Sequence, residues 1–129
     1  MAGVTLDAGA LILADRNDRR FWKWWAEATN VRKTIPAIVV AQVWRGPGSA
    51  RLAIVIKGSW IEASGLRRAK LVGELCGRSR VYDVVDVAVV ESASRRGDDI
   101  ITTDPDDIRR IVGATRGVGK VVDISKLRR

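Results

Sequence analysis

Apolar and polar positions along the chain fall into short blocks that switch between a two-residue and a three-to-four-residue period. Val4-Thr5-Leu6 is an apolar run that reads as a strand, and Ala8 to Ala14 follows as a short helix. Asp18 can cap a second helix, to about Thr29, that carries Phe21, Trp22, Trp24 and Trp25. Thr34-Ile35-Pro36 predicts a brief strand, and Ala37 to Arg45 a helix that Gly46-Pro47-Gly48 breaks. Ser49 is placed to cap a short helix to about Lys57, and Ser59 to Ala63 reads as a strand. Ser64 then caps a helix from Gly65 to Cys76, in which Leu66, Ala69, Val72 and Leu75 recur every three residues. Asp83 opens a helix through Val87, Val90 and Ala93 that Arg95-Arg96-Gly97 closes. Ile100-Ile101-Thr102 is a strand, Asp104-Pro105 starts a helix to about Ala114, and Lys120 to Val122 is a last strand. Residues from about 124 to 129 read as a frayed basic tail. Strands alternating with helices argue an α/β fold, a central mainly parallel β-sheet flanked by α-helices. No repeat or linker interrupts the pattern, so residues 1–129 read as a single domain.

Composition narrows the chemistry. The chain has no histidine and one cysteine, Cys76. That excludes Ser-His-Asp and Cys-His catalysis, histidine-ligated metals, Cys-rich zinc sites and an internal disulfide. An enzyme built from this sequence must work mainly with carboxylates. A net charge of +8 favours an anionic partner, nucleic acid first. No stretch is long and apolar enough to span a membrane, and the N-terminus reads as a buried strand running into a helix rather than as a signal peptide. A cytoplasmic protein is the expectation.

The aspartates stand out against the basic background. Asp7 and Asp104 each follow a predicted strand, and Asp86 lies in the first turn of a predicted helix. Taken singly, each has a structural explanation, because Asp caps helices and complements the helix dipole. Taken together they change the reading. Sites in open parallel sheets form beyond the carboxyl ends of the strands. Eight of the fifteen acids lie between Asp83 and Asp107. Crowded carboxylates raise one another's pKa unless a cation neutralises them, and all-oxygen ligands suit Mg²⁺ or Mn²⁺.

Three segments resemble a known family in the right order. Val4-Thr5-Leu6-Asp7-Ala8-Gly9-Ala10-Leu11 resembles the opening of PIN domains, a strand ending in Asp. Asp83-Val84-Val85-Asp86-Val87-Ala88 resembles the family's later helix start, and Ile101-Thr102-Thr103-Asp104-Pro105-Asp106-Asp107-Ile108 its strand and T-x-D segment. Ala41-Gln42-Val43-Trp44-Arg45 is similar to a stretch of VapC-like members. The resemblance implies a PIN-like α/β domain and a VapC-type toxin of a type II toxin–antitoxin system. Its activity would be Mg²⁺-dependent endoribonuclease cleavage of RNA, with Mn²⁺ an alternative, and its partners a cognate VapB-like antitoxin and a second copy in a homodimer. Asp7, Asp86 and Asp104 would be the metal-site residues and Asp107 a supporting ligand or orienter. Asp83 is either a helix cap or an outer residue of the site. Gln42 stands where most members carry Glu. It can coordinate through its carbonyl or hold a metal-bound water, but it adds no negative charge; Glu62 or Glu91 is a candidate to supply that charge from elsewhere. Two other readings stay open: a degenerate PIN domain that binds RNA or a protein without cutting, and a different α/β phosphohydrolase acting on small phosphates or DNA.

Arg45, one turn from Gln42, is the preferred substrate-binding residue among many arginines. The four aromatics of Phe21–Trp25 point to different sides of one helix, so some must meet another element, another subunit or a partner. Phe21 and Trp25 fit core packing; Trp22 and Trp24 are the candidates for an antitoxin or dimer interface.

Overall fold

The computed structural model describes residues 3–127. Five strands form one sheet: β1 (Val4–Leu6), β2 (Lys33–Pro36), β3 (Trp60–Glu62), β4 (Asp99–Thr102) and β5 (Val121–Asp123). Every pairing is parallel, and the spatial order is β3-β2-β1-β4-β5. The helices among the described residues are α1 (Ala8–Asp15), α2 (Arg19–Glu27), α3 (Ala37–Val43), α4 (Ala50–Lys57), α5 (Leu66–Ser79), α6 (Val84–Arg96) and α7 (Pro105–Val112). None of them is long and apolar enough to cross a membrane.

Parallel strands covered by helices on both faces are shielded from water on both sides, and β1 and β2 are buried at every position, the polar Thr5, Lys33 and Thr34 included. Register sets Thr5 opposite Thr34 on one side and opposite Ile100 on the other, so β1 is the centre of the sheet. The helix α6 packs along β1, β2 and β4 and buries Val87, Val89, Val90 and Ala93. Part of the other side is covered by α1, through the fully buried Ala10, Leu11 and Ala14. Each Leu or Ile removed from water in this way contributes roughly 1.5–3 kcal/mol before chain entropy is set against it.

The chain fills the sheet outward from β1 to β2 to β3, then returns to the far side of β1 as β4. The direction of filling therefore reverses between β1 and β4, and the crevice beyond their carboxyl ends is where an open α/β sheet holds its ligands.

Several boundaries depart from the sequence expectation. The sheet is wholly rather than mainly parallel. The helix α3 stops at Val43, leaving Trp44 extended and Arg45 beyond the helix end. Ser49 sits at the start of α4 with no side-chain bond, and Gly65 rather than Ser64 occupies the cap position of α5. That helix runs on to Ser79 and ends where Arg80 turns left-handed at φ 58°. Residues 124–126 are not a frayed tail. They form a 3-10 turn whose Ile124 is fully buried and whose cap, Asp123, accepts from Ser125 N–H at 3.0 Å. The last two residues of the expected tail lie outside the described residues.

Candidate functional site

Asp7 is the last residue before α1, and its position is dictated from both sides. Its backbone N–H reaches Ile101 O at 3.2 Å, tying it to β4, and its Oδ1 accepts from Ala10 N–H at 2.9 Å as the cap of α1. The carboxyl is 4% exposed. Burial pushes its pKa up to about 6; the Thr102 hydroxyl and the Ala10 N–H pull the other way, and the charge of Asp104 adds to the rise. Asp104 leaves the carboxyl end of β4, with its N–H held by Thr102 Oγ1 at 2.9 Å. It is exposed, and its pKa is raised first by sharing a hydrogen bond with Asp107 and then by what burial it has and the Asp107 charge. Asp86, on the first turn of α6, is half-buried. Burial and then the charges of Asp83, Asp7, Asp107 and Asp104 push it up to about 6.

The structure thus brings Asp7, Asp86, Asp104 and Asp107 within electrostatic reach of one another at the switch point. Asp83 is resolved as the cap of α6: its Oδ1 accepts from Val85 N–H at 3.1 Å and Asp86 N–H at 3.2 Å. As the side chains stand, no three acids among the described residues converge closely enough to hold an ion. The donor set still fits one. It is all carboxylate, it has hydroxyl and backbone support, and no arginine or lysine forms an ion pair with Asp7, Asp86, Asp104 or Asp107 among the described residues.

The other well-buried acids of the chain contrast with these. Asp98, fully buried, accepts from Arg96 Nε at 2.9 Å, Arg32 Nη2 at 3.1 Å and Thr5 Oγ1 at 2.9 Å. Glu62 takes Arg96 Nη1 at 2.6 Å, Ser92 Oγ at 2.9 Å and Arg95, and Glu91 takes Arg95. Burial works to raise the Glu62 pKa, but Arg95, Ser92 and Arg96 outweigh it and hold the carboxyl below its usual value. Glu62 and Glu91 are therefore committed to arginines, and the expectation that one of them replaces the charge missing at Gln42 is corrected. Where a buried carboxylate has a structural role in this protein, an arginine neutralises it. Asp7 has no such partner.

Gln42 is exposed near the end of α3 and makes no side-chain hydrogen bond within the described residues. Arg45 is also exposed; its Nη1 donates to Trp44 O at 2.8 Å and Ala41 O at 3.5 Å, its own end of the chain. The structure joins neither of them to the aspartates. The four aromatics form one cluster around buried Phe21, with Trp22 at 5.2 Å, Trp24 at 5.8 Å and Trp25 at 6.1 Å between ring centres. Trp22 and Trp24 are half-buried, and Trp22 donates its indole N–H to Ala14 O at 3.1 Å. Much of their surface is met by other elements of the same chain, α1 and the 3-10 turn.

Thr102 was not singled out at the sequence level. Its hydroxyl serves both Asp7 and the Asp104 N–H, and the T-x-D spacing was the available signal.

No model of a known protein family matches the sequence, and no curated protein matches it. Solved structures do. A chain described as part of FitAB bound to an IR36 DNA fragment superposes with a TM-score of 0.68 at 13% identity, covering 98% of each chain. PAE2754 from Pyrobaculum aerophilum superposes with a TM-score of 0.59 at 16% identity, over 93% of this chain and 90% of that one. Likeness at these identities speaks for the fold alone, and the fold is that of a PIN domain.

Proposed function

We propose that the protein is a Mg²⁺-dependent endoribonuclease, the toxin of a toxin–antitoxin pair, whose metal is held by Asp7, Asp86 and Asp104 with Asp107 in support. One observation carries the reading. Acids at the switch point have raised pKa values and no cation, in a chain that pairs its other well-buried acids with arginine. Held by these carboxylates, Mg²⁺ or Mn²⁺ would supply Lewis-acid activation of a phosphodiester and of the attacking water.

The chain's own residues do the rest. The Ala10 N–H, the Thr102 hydroxyl and the Gly9 N–H orient the Asp7 carboxyl. Asp104, exposed at the mouth of the crevice, meets the solvent side where a long polyanion can approach. The net charge of +8 supplies the long-range attraction for RNA. Arg45 uses only its Nη1 on the Trp44 and Ala41 carbonyls, which leaves its other N–H donors for a phosphate. Gln42 can take part through its amide carbonyl without adding charge. The likeness to the FitAB toxin–antitoxin complex supports an antitoxin partner, and Trp22 and Trp24 offer half-buried aromatic surface to it or to a second copy.

A second reading has its own observation. The acids as they stand do not close on an ion, and Gln42 contributes no charge; that favours a domain that binds RNA or a protein without cutting. Incubating purified protein with total RNA and Mg²⁺, Mn²⁺ or EDTA separates the two. Cleavage that EDTA and Asp7→Asn both abolish supports the nuclease; intact RNA with a folded, antitoxin-free sample supports the binding domain.

A further inference from the structure

The first turn of α1 and the turn after β4 lie closer together than two ordinary residues allow. At Gly9 a Cβ would fall 2.0 Å from Thr103 Oγ1 and 3.2 Å from Thr103 Cβ, with Asp7 Oδ1 at 3.4 Å. The Thr103 hydroxyl therefore occupies the space of the missing side chain. Its neighbour in sequence is Asp104, and Gly9 is two residues from Asp7. The contact joins the two segments that carry these carboxylates.

Helix propensity gives no reason for glycine here, because a residue inside a helix is more stable as Ala. The Gly9 backbone is not left-handed either. What the position requires is the absence of a Cβ. We propose that Gly9 is a positioning residue of the aspartate site, setting the separation of Asp7 and Asp104 by letting Thr103 seat directly on α1.

A Cβ at this position drives Thr103 away by about an ångström, since carbon–oxygen contacts settle above 3 Å. The 3.2 Å contact to Thr103 Cβ asks for only a few tenths of an ångström more, so the hydroxyl is the main obstacle. The movement is passed to Asp104 through one peptide unit. Residues that orient metal ligands typically govern affinity by 10- to 100-fold when lost. The inference rests on the proposed metal site, and the test keeps the two apart.

Mn²⁺ binding is followed by EPR on the full chain for the native protein, Asp7→Asn, Gly9→Ala and Gly9→Ala/Thr103→Ala, with circular dichroism to verify the fold. The expected result is Asp7-dependent binding in the native protein, a loss of roughly tenfold or more in Gly9→Ala, and recovery in the double variant, where the clashing oxygen is gone. Native-strength binding by Gly9→Ala overturns the positioning role and leaves the metal site standing. Loss without recovery in the double variant overturns the Thr103 contact as its cause. Absence of Asp7-dependent Mn²⁺ binding in the native protein overturns both the metal site and this inference. Should Gly9→Ala not fold, recovery of fold and binding together in the double variant supports the proposal, and recovery of fold alone, or of neither, overturns it.

Discussion

Replacing Asp7 by Asn should stabilise the metal-free protein at neutral pH. Asp7 is 4% exposed and has no cationic partner, and its pKa rises from an ordinary 3.8 to about 6, first because of burial. The folded state thus binds the proton more tightly than the unfolded chain between those two values. A carboxyl with a raised folded pKa opposes folding once it ionises, so stability increases as pH falls from about 6 toward 4 and decreases as pH climbs through 6. At about 1.4 kcal/mol per tenfold, the rise from 3.8 to about 6 corresponds to about 3 kcal/mol at pH 7.5. Asp86 works in the same direction, but it is half-exposed and solvent screening reduces its share. The substitution preserves the helix cap, because the Asn carbonyl can accept from Ala10 N–H as Asp7 Oδ1 does. Thermal melts in EDTA should place the midpoint of Asp7→Asn above the native one by up to about 10 °C at pH 7.5, a gap that shrinks to about a third by pH 4.5 and closes below the ordinary value of 3.8. Mg²⁺ should raise the native midpoint and leave Asp7→Asn unmoved. Superimposable melts across the whole range, or a less stable Asp7→Asn at pH 7.5, would refute the reasoning.

Glu62→Gln should act in the opposite sense. Glu62 shares Arg95 with Glu91 and Arg96 with Asp98, so its loss weakens a partly exposed ion-pair network without orphaning either guanidinium and costs about 1–2 kcal/mol at pH 7, read by urea denaturation. Its folded pKa lies below the ordinary 4.5, so the native protein loses the same contribution only as pH falls below that value, and the variant should lack this acid limb. An unchanged urea midpoint would mean that the arginines are neutralised without Glu62. Gln42→Ala removes an exposed side chain with no hydrogen bond and should shift stability by no more than about 0.5 kcal/mol. Its cleavage rate then reports on Gln42 in the chemistry alone, and a rate equal to the native one would remove Gln42 from the site.

The α/β class was legible because strands as short as Val4–Leu6 are bounded by apolar residues and the helices between them keep a three-to-four-residue period. Element ends were less so. Trp44 and Arg45 carry no breaker of their own, and nothing local announces that α3 stops at Val43; Ile124 was read as part of a tail because its burial depends on contacts with distant elements. The site was legible in its residues but not in its logic. Asp7, Asp86 and Asp104 each look like helix caps, and their convergence depends on the chain leaving the β3 edge and returning beside β1, a choice with no local signature. Glu62 and Glu91 looked like equals of the site acids until Arg95 and Arg96 came to lie on Glu62 from more than thirty residues away. Gly9 was silent altogether, since a residue that acts by having no side chain offers no chemistry to notice. What distinguishes the site is therefore a pairing rule that exists only in three dimensions. Buried carboxylates at the arginine cluster are neutralised within the chain, and those at the switch point are not. An uncompensated buried charge is costly enough that a fold retains it only where something else supplies the cation. By that argument Asp7 is the residue whose substitution tells most about what this protein binds.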